Sequence, residues 1–255
     1  MFRSRSLRLA VCAASMLLVR TVVWAQDSGM SFVYTNDDVA GPNTVSAFSV
    51  SAGALVAVSG SPFSTGGTGF GDSLYAAPRL VIAGKFLYAS NAVSSNVSGF
   101  VINPATGGLT SVSGSPFATG GTGSAISIAA TPNGAFLMAG YAGTNTITVF
   151  SVNPTTGALT PVSGSPFPAG STVNGMKVTP DGKFLVATLP NSPPGKVGVF
   201  RIAASGALAP VAGSPFAATT PAGVEINCKS SLVFAGGAST SAASSMSSAW
   251  MRRAR

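Results

Sequence analysis

Apolar and polar positions alternate along this chain in short runs separated by turn residues. Over residues 146–152, Ile147, Val149 and Ser151 fall on one side and Thr148, Phe150 and Val152 on the other. Such alternation, rich in β-branched and aromatic side chains, predicts a strand. Further strands are predicted nearby over 125–130, 135–139 and 159–162. The connections carry turn chemistry. Pro132-Asn133-Gly134 and Pro180-Asp181-Gly182 would join first strands to second strands. Thr106-Gly107, Thr156-Gly157 and Ser205-Gly206 would join third strands to fourth. Gly, Asn and Asp tolerate the positive φ that tight hairpins need.

The four-strand pattern repeats. Gly-Ser-Pro-Phe occurs four times, ending at Phe63, Phe117, Phe167 and Phe216, with spacings of 54, 50 and 49 residues. Phe32, Phe86, Phe136 and Phe184 form a second column, continued by Leu232, and Phe48, Phe100, Phe150 and Phe200 a third. Twelve of the 15 phenylalanines lie in these columns, which a non-repeating sequence would not produce. Four antiparallel strands every ~50 residues predict an all-β fold, a β-propeller. One such sheet, a blade, cannot bury both of its faces alone. Stacked blades cover one another, so each needs the same large apolar plugs.

Several of these segments carry a family resemblance: Phe-Val-Tyr-Thr-Asn at 32–36, Lys-Phe-Leu-Tyr-Ala-Ser-Asn at 85–91, Thr-Pro-Asp-Gly-Lys-Phe-Leu at 179–185 and Val-Phe-Ser-Val-Asn-Pro-Thr-Thr-Gly-Ala-Leu-Thr at 149–160. Together they resemble the lactonase-type, 6-phosphogluconolactonase-like seven-bladed propellers. The matching residues are blade framework, so the resemblance speaks for fold more than for activity.

Seven ~50-residue blades would need about 350 residues. The repeats here occupy 31–237, about four blades' worth. They open on a second strand at 31–36 and end after a first strand at 223–227 and a second at 231–235, with no third expected. Residues 238–255 share none of the repeat columns and read as a disordered or non-homologous tail, or as a truncated frame. An open arc is the favoured arrangement. The alternative is a closed four-blade ring, with 223–227 pairing against 31–36. An arc would leave blade edges open to self-association.

Charge adds little. The formal net charge is +8, yet four of the arginines fall in residues 1–20 and three in the last four. The stretch between has 7 basic and 6 acidic residues. Nucleic-acid binding, which needs clustered basic residues, is not expected. Arg3, Arg5 and Arg8, an apolar run from Leu9 to Val19 and Val23-Trp24-Ala25 follow the order of a secretory signal peptide. Residues 1–25 are therefore read as a leader cleaved after Ala25, which predicts a secreted or periplasmic protein with no stable membrane span. Cleavage would leave Cys228 as a lone thiol.

There is no histidine, which excludes Ser-His-Asp and Cys-His chemistry. Counting back seven residues from the Phe86 column puts Arg79, Ala129, Lys177 and Glu225 at one position of the first strands. First strands line the central channel of a propeller. The lactonase resemblance implies a channel-side site, in which Glu225 would be the base and Arg79 and Lys177 the anion clamp. The competing reading is that these charges are solvated or paired across the channel. Asp181 reads as a turn residue. Asp37-Asp38 lacks the further oxygen ligands of a cation site. No cofactor or metal is predicted. The expected function is a binding or scaffold module taking a protein or small-molecule ligand on its ring face. A lactone hydrolase and a non-functional truncated product are the alternatives.

Overall fold

The computed structural model describes residues 23–27, 30–51, 53–71, 78–121, 125–191, 194–219, 221–237 and 244–246. Every regular element among them is a strand. Four five-stranded antiparallel sheets follow one another, and a three-stranded sheet comes after them. The first holds β1 (Val23–Asp27), β2 (Met30–Asn36), β3 (Gly41–Ser51), β4 (Ala54–Ala57) and β5 (Phe63–Gly69). The second holds β6 (Leu80–Ala83), β7 (Phe86–Asn91), β8 (Asn96–Ile102), β9 (Leu109–Ser111) and β10 (Phe117–Ala118). The third holds β11 (Ala125–Ala130), β12 (Phe136–Tyr141), β13 (Thr146–Val152), β14 (Leu159–Pro161) and β15 (Phe167–Pro168). The fourth holds β16 (Met176–Val178), β17 (Phe184–Leu189), β18 (Lys196–Ile202), β19 (Leu208–Pro210) and β20 (Phe216–Ala217). The last holds β21 (Pro221–Ile226), β22 (Val233–Gly237) and β23 (Ser244–Met246).

These are propeller blades. The first strands β1, β6, β11, β16 and β21 lie against one another in succession on the inner side. Each blade is a meander, and its outer position is split between two short strands that both pair with the third. The Gly-Ser-Pro-Phe motif makes that split. Its glycine holds φ near +84° in every copy. Its serine Oγ then accepts a hydrogen bond from the third strand, from the N–H of Ala47, Gly99, Val149 and Val199 at 2.8, 3.0, 2.8 and 2.9 Å. The hydroxyl thus satisfies a backbone donor that the interrupted strand leaves without a partner. The four short strands predicted per blade are present, the fourth of the third blade being β14, and each blade adds a fifth after the motif.

The core is a set of seams between successive blades. Phe32 and Tyr34 pack with Leu87, Ala89 and Phe100 of the second blade. Phe86 and Tyr88 meet Leu137, Ala139 and Phe150 of the third. Met138 meets Leu185, Ala187 and Phe200 of the fourth, and Phe184 and Val186 meet Val233 and Ala235 of the last sheet. The hairpin glycines explain how close these seams are. A Cβ on Gly107, Gly157 or Gly206 would fall 2.3, 2.5 or 2.6 Å from the ring of Phe32, Phe86 or Phe136 in the preceding blade. Each ring therefore rests on a bare backbone turn. The Tyr34 and Tyr88 hydroxyls donate to the carbonyls of Gly107 and Gly157 at 2.9 and 2.7 Å. Burial pushes Tyr34 up to about 12 and raises Tyr88 further.

Two expectations need revision at the ends. The first blade does not begin with its second strand, because β1 pairs antiparallel with β2. That strand straddles the expected cleavage point after Ala25, and residues 1–22 of the expected leader lie outside the described residues. The last sheet does gain a third strand, β23, which pairs with β22. It falls within the expected tail, the rest of which is outside the described residues. Cys228 is disulfide-bonded in the full chain, and the lone thiol is expected only once residues 1–25 are removed. The strands of the first blade and those of the last sheet share no apolar cluster among the described residues, as an open arc requires.

Candidate functional site

The pairing register tests the proposed column of charges. Ala129 faces Met138, Lys177 faces Val186 and Glu225 faces Phe234. In the second blade the corresponding partner of Tyr88 is Val81. Arg79 lies two residues before that position, and its carbonyl accepts the N–H of Ser90 at 3.0 Å. The cause is turn length. Ile82 pairs with Leu87 across the Gly84-Lys85 turn, whereas Ala130 pairs with Leu137, two residues farther apart. Counting back from the phenylalanine therefore overshoots in this blade. The structure brings Lys177 and Glu225 together and leaves Arg79 out.

Lys177 and Glu225 form an ion pair between the fourth and last sheets, with Nζ 3.1 Å from Oε2 and 3.2 Å from Oε1. Their side chains are 45% and 71% exposed, so water screens the pair. Glu225 would have to break this contact, or share it, to act as a general base.

Arg79 is buried and ion-paired with Asp38 in the seam between the first two blades. Burial lowers its pKa. Asp38 sits at φ +46°, and its Oδ1 accepts the Phe70 N–H at 3.1 Å. Asp37 accepts from the hydroxyls of Thr35, Thr44 and Ser46 at 3.1, 2.7 and 2.8 Å. Both carboxylates thus tie down the loop between β2 and β3.

A buried amide network surrounds the Arg79 pair, and the sequence reading missed it. Asn36 Nδ2 donates to the carbonyls of Arg79 and Ser90 at 3.0 and 2.8 Å. Asn43 Nδ2 bridges Asn36 Oδ1 and Asn91 Oδ1 at 2.9 and 3.0 Å, and Asn91 Nδ2 reaches Ser98 Oγ at 2.8 Å. The available signal was the asparagine that closes both 32–36 and 85–91, where the later repeats have no amide. Asp181 behaves as a turn residue, its Oδ1 accepting from Thr179 Oγ1 at 2.6 Å and from the Lys183 N–H at 3.2 Å. A cleft of about 490 Å³ opens beside that turn, between the third and fourth blades, lined by Asn133, Phe136, Asp181, Lys183 and Ile202. It holds neither Lys177 nor Glu225. Among the described residues no helix is long and apolar enough to cross a membrane.

Comparison with known proteins agrees with this architecture. The chain is similar to a candidate 6-phosphogluconolactonase from Bacteroides uniformis, with TM-score 0.68 and 16% identity over 88% of this chain and 65% of that one. It is similar to a protein from Lactobacillus plantarum, with TM-score 0.63 and 16% identity over 86% and 63%. It is also similar to the periplasmic gluconolactonase of Pseudomonas aeruginosa, with TM-score 0.55 and 17% identity over 82% and 60%. At these identities the likeness speaks for the fold. The chain spans about 65% of the length of the first of these structures. None of the curated proteins matches its sequence. The family described as lactonase, 7-bladed beta-propeller, matches residues 29–174, and the chain belongs to it.

Proposed function

We propose that this chain is an exported binding module that presents a propeller face to a protein or small-molecule ligand without turning it over. The observation that carries this reading is the state of the three candidate residues. Arg79 is held in a buried seam by Asp38, and Lys177 neutralises Glu225 in solvent. With no histidine in the chain, no further imidazole can serve as the proton-transfer group. The leader-like order of residues 1–25 supports export, as does the likeness to a periplasmic protein. Cleavage after Ala25 would take Val23–Ala25 out of β1.

Lactone hydrolysis is the second reading. Family membership favours it, as does a cation within 3.2 Å of a carboxylate on the inner strands. An assay of lactone opening by the purified chain and by Glu225→Ala separates the two. The binding reading expects no turnover above buffer in either protein. Turnover by the unmodified chain that disappears in Glu225→Ala would reject that reading and establish the hydrolase. N-terminal sequencing of the exported protein tests the cleavage point, with Gln26 the expected first residue.

A further inference from the structure

Each internal seam has two halves. One half is a pair of plugs on the second strand: Phe32 and Tyr34, Phe86 and Tyr88, Phe136 and Met138, Phe184 and Val186. The other half belongs to the next blade. Where the third-to-fourth-strand hairpin is described on that side, its glycine is a bare seat beneath the ring, and the leucine two residues later closes the rim. Gly107 with Leu109, Gly157 with Leu159 and Gly206 with Leu208 fill these roles, and the three leucines are buried.

Both halves recur at the ends of the arc without a mate. On the last sheet the plug positions are Leu232 and Phe234, which are 38% and 44% exposed. Their equivalents Phe32, Tyr34, Phe86 and Tyr88 are at most 2% exposed. On the first blade the seat is Gly53, at φ +81° like the other hairpin glycines, and a Cβ there would meet nothing within 4 Å. Its rim residue, Leu55, is 57% exposed. Phe48 is only half-buried, whereas Phe100, Phe150 and Phe200 are 1–4% exposed. Val33, deeper on the same face, is already covered.

From this we infer that the chain associates head to tail with copies of itself. Leu232 and Phe234 of one copy would seat on the Gly53–Leu55 hairpin and Phe48 of the next. The occupant is a second copy because the two faces are complementary halves of a seam the same chain closes repeatedly inside itself. Two different patches meet in such a contact, so it is heterologous. It closes into a ring of two or more copies or grows into a filament. Exposed apolar patches of this kind are common association sites. The inference does not depend on whether the chain turns over a lactone, and its readout is separate from that assay.

The test uses the full chain and two variants, Phe234→Lys on the plug face and Leu55→Lys on the seat face, measured by light scattering coupled to size-exclusion chromatography. The unmodified chain is expected to rise in mass with concentration in whole-protomer steps. Each variant alone lacks one half of the contact and should run as a monomer. An equimolar mixture should give a one-to-one heterodimer and nothing larger, because each variant keeps the half the other has lost. Leu232→Lys replaces Phe234→Lys if that variant loses its β-sheet circular dichroism. An unmodified chain that stays monomeric at every concentration would overturn the inference. So would folded variants that fail to complement, or variants that still self-associate on their own.

Discussion

Two ion pairs of similar chemistry do different work in this molecule. Arg79–Asp38 lies in the first seam with side chains 8% and 11% exposed, beside the amide network of Asn36, Asn43 and Asn91 that holds the Arg79 and Ser90 carbonyls. Lys177–Glu225 spans the last seam with side chains 45% and 71% exposed. In the first pair both charges have left water, so each depends on the other. In the second, water already stabilises both partners. Position in the seam therefore decides the role. The buried pair fixes the β2–β3 loop against the second blade, whereas the exposed pair decorates the inner strands.

The comparison breaks first at Arg79. Arg79→Ala, or Asp38→Asn, leaves one charge buried and unpaired and is expected to cost about 3–5 kcal/mol in urea unfolding. The double variant Arg79→Met/Asp38→Asn should recover most of that loss, because no unpaired charge is left. Alkaline pH tests the neutral groups in the same seams. Tyr34 and Tyr141 are pushed up to about 12 by burial and stay protonated in the folded chain, while unfolded tyrosine ionises near pH 10. The unfolded state then binds fewer protons, so stability present below pH 10 should fall as pH rises towards about 12. A urea midpoint that stays flat across that window would contradict the burial. Tyr88→Phe strips the donor from the Gly157 carbonyl and should cost about 1–3 kcal/mol in the same unfolding experiment. Smallest of all, Lys177→Ala should change stability by about 0–1 kcal/mol, and high salt should erase even that.

The sequence made the blades legible because their chemistry is periodic. A face that must be covered in every blade calls for the same large side chain at the same place, and phenylalanine marks it. What escaped was the chemistry that breaks the period. The split outer strand depends on a serine hydroxyl replacing a backbone partner, and strand periodicity does not register that. Arg79 was put in the wrong column because the Gly84-Lys85 turn is two residues shorter than its counterparts, a difference that shifts pairing without moving any apolar residue. The strand β1 was hidden under a leader-like segment, since small and apolar residues serve both. The amides Asn36 and Asn91 were visible as letters, but their meeting with Asn43 requires two blades to be face to face. Lys177 and Glu225 were legible as one column of charges, and their pairing joins neighbouring sheets, which only the stacking of the fourth and last sheets shows.

The account rests on the rings of Phe32, Phe86 and Phe136 lying against the hairpin glycine of the following blade. A double-mutant cycle between Phe86→Ala and Gly157→Ala measures that contact directly. Gly157→Ala alone should cost about 2–4 kcal/mol, from overpacking against the ring and from a side chain at φ +77°. In the Phe86→Ala background the overpacking is gone and only the backbone strain remains, so the cycle should return a coupling of at least about 1 kcal/mol. Costs that add to within about 0.5 kcal/mol would mean that the ring and the turn do not touch, and the seam described here would be wrong.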